Sequence, residues 1–173
     1  MKHRFFICAA AFAGLTSIAA AADTVEPALT GEWTCTSDQS DPNFKSQIAW
    51  IATYGDDGTY TAESNSTVRT ASVGRYRILS SDTGTYSLED GLLVTTATDI
   101  TTETVGLSGK VAENAEMKTR VENSVTRSAQ GSVGKPKTRR LAWSDEDTIT
   151  LQDNAEGAGT HYQCARTMVE GSE

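Results

Sequence analysis

The chain has 173 residues, a formal net charge of −8 at pH 7 and an apolar fraction of 38%. This length suits one ordinary domain. The negative charge repels polyanions, so it excludes nucleic acid as an expected partner and disfavours binding to anionic membrane surfaces.

The first 22 residues have the three parts of a secretory signal peptide in order. Lys2 and Arg4 give a basic start, residues 5–18 are largely apolar, and residues 19–22 are all alanine. Signal peptidase reads small residues, so we expect cleavage after Ala22 and export to the bacterial periplasm or the medium. The rival interpretation is an uncleaved membrane helix, but the apolar stretch is shorter than the ~20 residues that cross a bilayer.

Cleavage changes the charge and the cysteine count. Because Lys2 and Arg4 leave with the signal peptide, 13 of the 15 basic residues remain against 23 acidic ones, a net charge of −10 over 151 residues. Cys8 lies inside the apolar stretch, so no lipid anchor is expected there. Cys35 and Cys164 remain, and a pair in an exported protein predicts a disulfide; the alternative is two buried thiols.

The rest of the chain has the pattern of an antiparallel β domain. Residues 23–30 are expected to be a flexible lead-in, residues 31–168 the domain, and residues 169–173 a tail. Thr, Tyr, Trp and Val interleave with polar residues, and Gly, Asp and Asn recur in turns. The pattern predicts nine strands, at residues 31–37, 46–54, 59–68, 72–80, 84–89, 92–104, 137–144, 147–152 and 160–167, with turns that include 55–58, 81–84 and 90–91.

One segment, residues 111–129, lacks turn residues and is rich in helix formers. Val111, Val121 and Val125 fall near one face at helical spacing, together with Ala115 and Lys118. We expect a helix that plugs a barrel mouth or runs along the outside. A mobile lid and a β-hairpin are the alternatives.

The two ends of the domain carry a family resemblance. Gly31-Glu32-Trp33 opens the first strand, and Gln163-Cys164-Ala165-Arg166 closes the last one. With the run of short hairpins between them, the chain resembles the lipocalin and avidin (calycin-type) β-barrels, and in particular the small exported lipocalin-like proteins of bacteria. The resemblance implies an up-and-down barrel of about eight or nine strands, with Trp33 at its floor and Arg166 packed across that ring.

A numerical check supports the same closure of the barrel. In a closed barrel of even strand number the first and last strands are neighbours, and opposite residues of an antiparallel pair have numbers with a constant sum. If Cys35 lies opposite Cys164, the sum is 199, and Trp33 then lies opposite Arg166. The disulfide and the Trp–Arg contact are thus predicted to share one register and one face.

No residue pattern predicts an enzyme, a cofactor or a metal site. His161 and Cys164 are three apart, and on a strand such positions point to opposite faces. No Gly-x-Ser-x-Gly turn accompanies the histidine. The basic run at 135–140 favours a solvated start of a strand; the alternative is a site for an anionic group at the barrel mouth.

The barrel interior therefore decides the expected function. Five aromatic residues are the candidate lining of a ligand pocket: Trp50, Tyr54, Tyr60, Tyr76 and Trp143. One hypothesis is a periplasmic lipocalin-like module that binds a small hydrophobic or amphipathic molecule. The alternative is a filled barrel that acts as an envelope adaptor or a protease inhibitor, for which residues 23–30 would provide the inhibitory segment.

Overall fold

The computed structural model describes residues 28–153 and 159–167, so the predicted signal peptide, most of the lead-in and the tail lie outside the described residues. The described chain contains eight strands and two helices. In order they are β1 (Gly31–Ser40), β2 (Phe44–Tyr54), β3 (Thr59–Thr70), β4 (Gly74–Glu89), β5 (Leu92–Ser108), α1 (Lys110–Glu113), α2 (Ala115–Gln130), β6 (Pro136–Asp145), β7 (Thr148–Asp153) and β8 (His161–Arg166).

Each strand pairs antiparallel with the next, and β8 pairs with β1, so the eight strands form a closed up-and-down barrel. The predicted all-β up-and-down barrel of about eight or nine strands is confirmed with eight strands, and the predicted helical insertion follows the fifth. We call the end with the β2–β3, β4–β5 and β6–β7 turns the closed end, and the opposite end the open end. The two differ in packing and in charge.

One predicted turn is wrong: residues 81–84 are extended, and the two strands predicted around them form the single strand β4. Gly84 faces the backbone of β5 so closely that a Cβ there would lie 2.1 Å from the carbonyl oxygen of Thr96. The register also shifts between Thr83 and Gly84, which marks a bulge. A strand glycine often serves such a close approach, and here it resembled a turn residue in the sequence.

The predicted turn at Asp90-Gly91 is present. Both residues have positive φ, 52° and 69°, which is the backbone of a two-residue hairpin turn and the reason for glycine at the second position. At the β2–β3 turn the Asp57 carboxylate accepts from the backbone N–H and the hydroxyl of Thr59, and these bonds lower the pKa of Asp57. These turns hold neighbouring strands in register at the closed end.

Side chains fill the closed end of the barrel. Trp33, Leu93 and Ile149 are almost fully buried there, and the Trp143 ring meets the Trp33 ring edge-on at 5.9 Å. The Trp33 indole N–H donates to the carbonyl of Leu29 at 2.7 Å. This packed layer is the floor beneath the rest of the lumen.

The closing seam between β1 and β8 has the predicted register. Cys35 lies opposite Cys164 and Trp33 lies opposite Arg166. The two cysteines form a disulfide across 129 residues, and both are buried. The predicted disulfide is confirmed.

The helical segment is broken in two, where the sequence predicted one helix over 111–129. The Asn114 side chain accepts from the Met117 N–H and begins α2, since Asn at this position satisfies a donor that no helical carbonyl reaches. Buried Val111 anchors α1, and its N–H donates to the Val73 carbonyl. The hairpin alternative is therefore wrong.

Helix α2 packs along β5. Strand β6 pairs only with residues 92–96 of β5, which leaves the rest of that edge without a strand partner in the described chain. After the helix, the Gly134 N–H donates to the carbonyl of Ala97. Met117, Val121 and Val125 are the partly buried face of the helix, so α2 covers an otherwise open strand edge. Neither helix of the described ranges is long and apolar enough to span a membrane.

Candidate functional site

A cavity of about 450 Å³ occupies the lumen above the packed floor. Small and apolar side chains of β2, β3 and β5 form much of its wall: Ile48, Ala52, Ala62, Ala97 and Ile100. Aromatic rings line it at Trp50, Tyr54, Tyr60 and Tyr162. Its volume is within the roughly 300–1,000 Å³ of small-molecule sites.

The structure brings together three of the five aromatic residues considered from the sequence. Trp50, Tyr54 and Tyr60 line the cavity. Trp143 is part of the packed layer at the closed end, against Trp33. Tyr76 lies opposite Val68, close to the start of β4 and away from the cavity wall.

The cavity also has a cationic wall, which β6 and the segment before it provide. Lys135, Lys137 and Arg139 line the cavity together with Ser132. The Arg139 guanidinium lies 4.8 Å from the Trp50 ring centroid and 5.9 Å from that of Tyr162, so it stacks on aromatic faces as arginine often does. The interpretation of 135–140 as a solvated segment is wrong for Arg139, whose side chain is only 12% exposed.

Asp153 binds two of these cations. One carboxylate oxygen accepts from Arg139 Nε at 2.9 Å, and the other lies 3.2 Å from Lys137 Nζ and accepts from the Tyr162 hydroxyl. Burial alone would raise the pKa of Asp153, but Lys137 and Arg139 outweigh it, so the pKa lies below its usual value. Burial and the neighbouring Arg139 lower the pKa of Lys137 against the attraction of Asp153.

A second carboxylate, Asp82, lines the cavity from β4. The Tyr60 hydroxyl donates to it at 2.9 Å. Burial raises the pKa of Asp82 although Tyr60 and Arg139 stabilise its charge. Burial also raises the pKa of Tyr54, to about 12. Burial is the first cause of both shifts, so a further charge in the lumen would need a partner to offset its desolvation.

Some hydrogen-bond donors of the cavity lining have no acceptor within the described chain. The buried indole N–H of Trp50, which lines the cavity, has no acceptor among the described residues, and neither has that of Trp143 in the packed layer. In the described chain Lys135 makes no ion pair. A buried donor without a partner is costly, so this lining suits a ligand with acceptor oxygens and an apolar body.

His161, the histidine considered for a metal or catalytic site, does not line the cavity. His161 is exposed on β8, and no three His, Cys, Asp or Glu side chains in the described ranges are placed to hold a metal ion.

Sequence reasoning missed Asp82 and Tyr162 as residues of the site, and it included Arg139 only in the alternative of an anion site at 135–140. A signal for Arg139 was present, because residues 137, 139, 141 and 143 alternate on one face of β6 and Leu141 is plainly a core residue. No equivalent signal existed for Asp82, since the segment around it resembled a turn.

Comparison with known proteins adds no family: no protein-family model and no curated protein matches this chain.

Proposed function

We propose that this protein is a lipocalin-like binding module that holds one small amphipathic molecule in the lumen of its barrel and catalyses no reaction. The observation that carries the proposal is the cavity of about 450 Å³ with an apolar wall and a cationic wall. A barrel of about eight strands is just wide enough for one such ligand.

We also propose that the protein is exported. The signal peptide expected at residues 1–22 would deliver the protein to the periplasm or the medium, and the buried Cys35–Cys164 disulfide is compatible with an oxidising compartment. A carrier in that compartment would bind its ligand without an energy source, by burial of apolar surface and pairing of polar groups.

A ligand panel tests the proposal. We expect at least one member of a panel of fatty acids, sterols and porphyrins to raise the melting temperature, because a ligand that binds only the folded state stabilises it. Ala62→Phe would place a ring in the cavity and remove the shift. Ala49→Phe is the matched control, since Ala49 is exposed on the outer face of β2.

A spectroscopic measurement locates the bound molecule. Ligand in the lumen should shift the indole N–H resonance of Trp50 and leave that of Trp143, which is packed within the floor, nearly unchanged. No thermal shift with any panel member would refute the proposal. Equal shifts for wild type and Ala62→Phe would place the ligand outside the lumen.

The alternative of a filled-barrel adaptor or protease inhibitor assigns an inhibitory segment to residues 23–30, of which the structure describes only 28–30. Arg166 donates to the carbonyls of Ala28 and Thr30, so this part of the segment is fastened to the closed end. No described feature favours an inhibitory role.

A further inference from the structure

We propose that the ligand is a carboxylate-bearing amphiphile, whose carboxylate sits among Lys135, Lys137 and Arg139 and whose apolar part points toward the closed end. This inference rests on the proposed function, because it names the ligand class of the same cavity. Three features of the described residues support it.

The first feature is an excess of positive charge along one wall. Lys137 and Arg139 share the single carboxylate of Asp153, and Lys135 has no described counter-ion. Asp82 also attracts Lys137 and Arg139, so three cations face two carboxylates and one positive charge remains unbalanced. An added carboxylate would thus meet donors with spare capacity, and hydrogen bonds to charged groups are the stronger ones.

The second feature is the direction of polarity in the cavity. Lys135 is exposed in the segment before β6, at the open end, and Lys137 is half-exposed beside it. Tyr54, toward the closed end, is almost fully buried, as is Ala52 on the same strand. A ligand that enters with its apolar part first buries that part and leaves its charge near water, which minimises desolvation of the charge.

The third feature is the concentration of negative charge at the closed end of the barrel. The turns of the closed end are acidic, and their carboxylates are those of Asp56, Asp57, Glu89, Asp90, Asp145, Glu146 and Asp147. Arg166, the cation beside them, is already bound to Asp147. An anion is therefore repelled from the closed end and attracted to the lysines at the mouth, which speeds its capture.

Three probes that share one alkyl chain test the inference: laurate, dodecanol and dodecylammonium, each titrated calorimetrically below its micelle concentration. We expect laurate to bind at least about tenfold more tightly than dodecanol, a difference of about 1.4 kcal/mol. Dodecylammonium should bind most weakly. Added salt should weaken the binding of laurate and leave that of dodecanol unchanged.

Variants of Lys135 and Lys137 test whether the preference for a carboxylate comes from the lysines at the open end. Lys135→Gln/Lys137→Gln should reduce laurate affinity about five- to tenfold and leave dodecanol affinity unchanged, while Arg139 keeps Asp153 paired. Lys118→Gln is the control, since Lys118 is exposed on α2. Lys135→Glu provides a second test that does not disturb Asp153, and it should weaken laurate binding further than Lys135→Gln does.

The outcomes separate this inference from the proposed function. If none of the three probes binds, and no member of the wider panel binds either, the proposed function fails. If dodecanol or dodecylammonium binds as tightly as laurate, the cavity binds ligand but the carboxylate assignment is wrong. The same holds if the lysine variants leave laurate affinity unchanged.

Discussion

The guanidinium of Arg166 lies 4.5 Å from the centroid of the Trp33 ring and donates at the same time to the carbonyls of Thr30 and Ala28. Its Nε also pairs with Asp147 at 3.1 Å. One side chain thereby joins the segment before β1, the floor of the barrel and the turn between β6 and β7. Only a planar group with several donors makes all these contacts together.

We therefore expect Arg166→Lys to be far from conservative. The ammonium loses the stacking geometry and most of the hydrogen bonds, at a cost of about 2 kcal/mol in the free energy of unfolding. Urea denaturation measures it. Arg69→Lys on the exposed face of β3 is the control and should change stability by less than about 0.5 kcal/mol. Equal effects of the two changes would contradict a special role for Arg166.

Removal of the disulfide should have a larger effect. The bond spans 129 residues, and on the chain-entropy model such a link stabilises the fold by about 4–5 kcal/mol. We expect Cys35→Ser to lower the melting temperature by more than about 8 °C. Reduced wild-type protein is the control, since it keeps both sulfur atoms and loses only the bond. A decrease of under about 3 °C in both samples would show that the bond contributes little.

Asp82→Asn should stabilise the protein in a pH-dependent manner. The folded pKa of Asp82 is raised, so the folded state binds the proton more tightly than the unfolded state does. Preferential protonation of Asp82 in the folded state therefore stabilises the fold. This contribution to the free energy of unfolding is complete below the unfolded pKa of about 3.9 and is lost as pH rises through the folded pKa. Asn keeps an acceptor for Tyr60 and carries no charge.

The melting temperature of Asp82→Asn should therefore exceed that of wild type by a few degrees at about pH 7, and the two should agree at about pH 3. Asp56→Asn in an exposed turn is the control, and its melting temperature should not exceed that of wild type at about pH 7. A destabilised Asp82→Asn at neutral pH would mean that its charge is stabilised by Arg139 and Lys137 more than burial penalises it.

Helix α2 should protect β5 from association with other chains. Val121→Asp places a charge on the packed face of the helix, so the helix should detach and leave the edge of β5 open to another strand. We expect a lower melting temperature and concentration-dependent light scattering. Ser124→Asp on the exposed face is the control. Monomeric Val121→Asp would indicate that the edge needs no cover.

Much of the fold follows from periodic signals in the sequence. Alternating residues and turn chemistry identify nearly every strand, and the constant sum of paired numbers places Cys35 against Cys164 and Trp33 against Arg166. The turn predicted around Gly84 is the element that the sequence misplaced. A glycine after Ser-Asp-Thr has turn chemistry, and only the approach of β5 in three dimensions reveals that it belongs to a bulge.

The site was less predictable than the fold for a related reason. Trp50, Tyr54 and Tyr60 were identified because aromatic residues suggest a pocket, but Trp143 and Tyr76 carry the same signal and lie elsewhere. Whether such a ring lines the cavity depends on its position along the barrel axis, which the alternation of inward and outward residues does not specify. The solvated interpretation was favoured for Arg139 because a run of cations suggests solvent, whereas its position on β6 alternates with core residues.

The seam between β1 and β8 also makes the disulfide selective. A slip of one residue in this pairing would turn one cysteine to the outer face, and a slip of two would move the sulfurs about 7 Å apart. The bond between Cys35 and Cys164 is thus compatible with the native register and with no neighbouring one. Among folded barrels, oxidation of these thiols therefore selects the native register. In each barrel that has the bond, the first and last strands are correctly aligned.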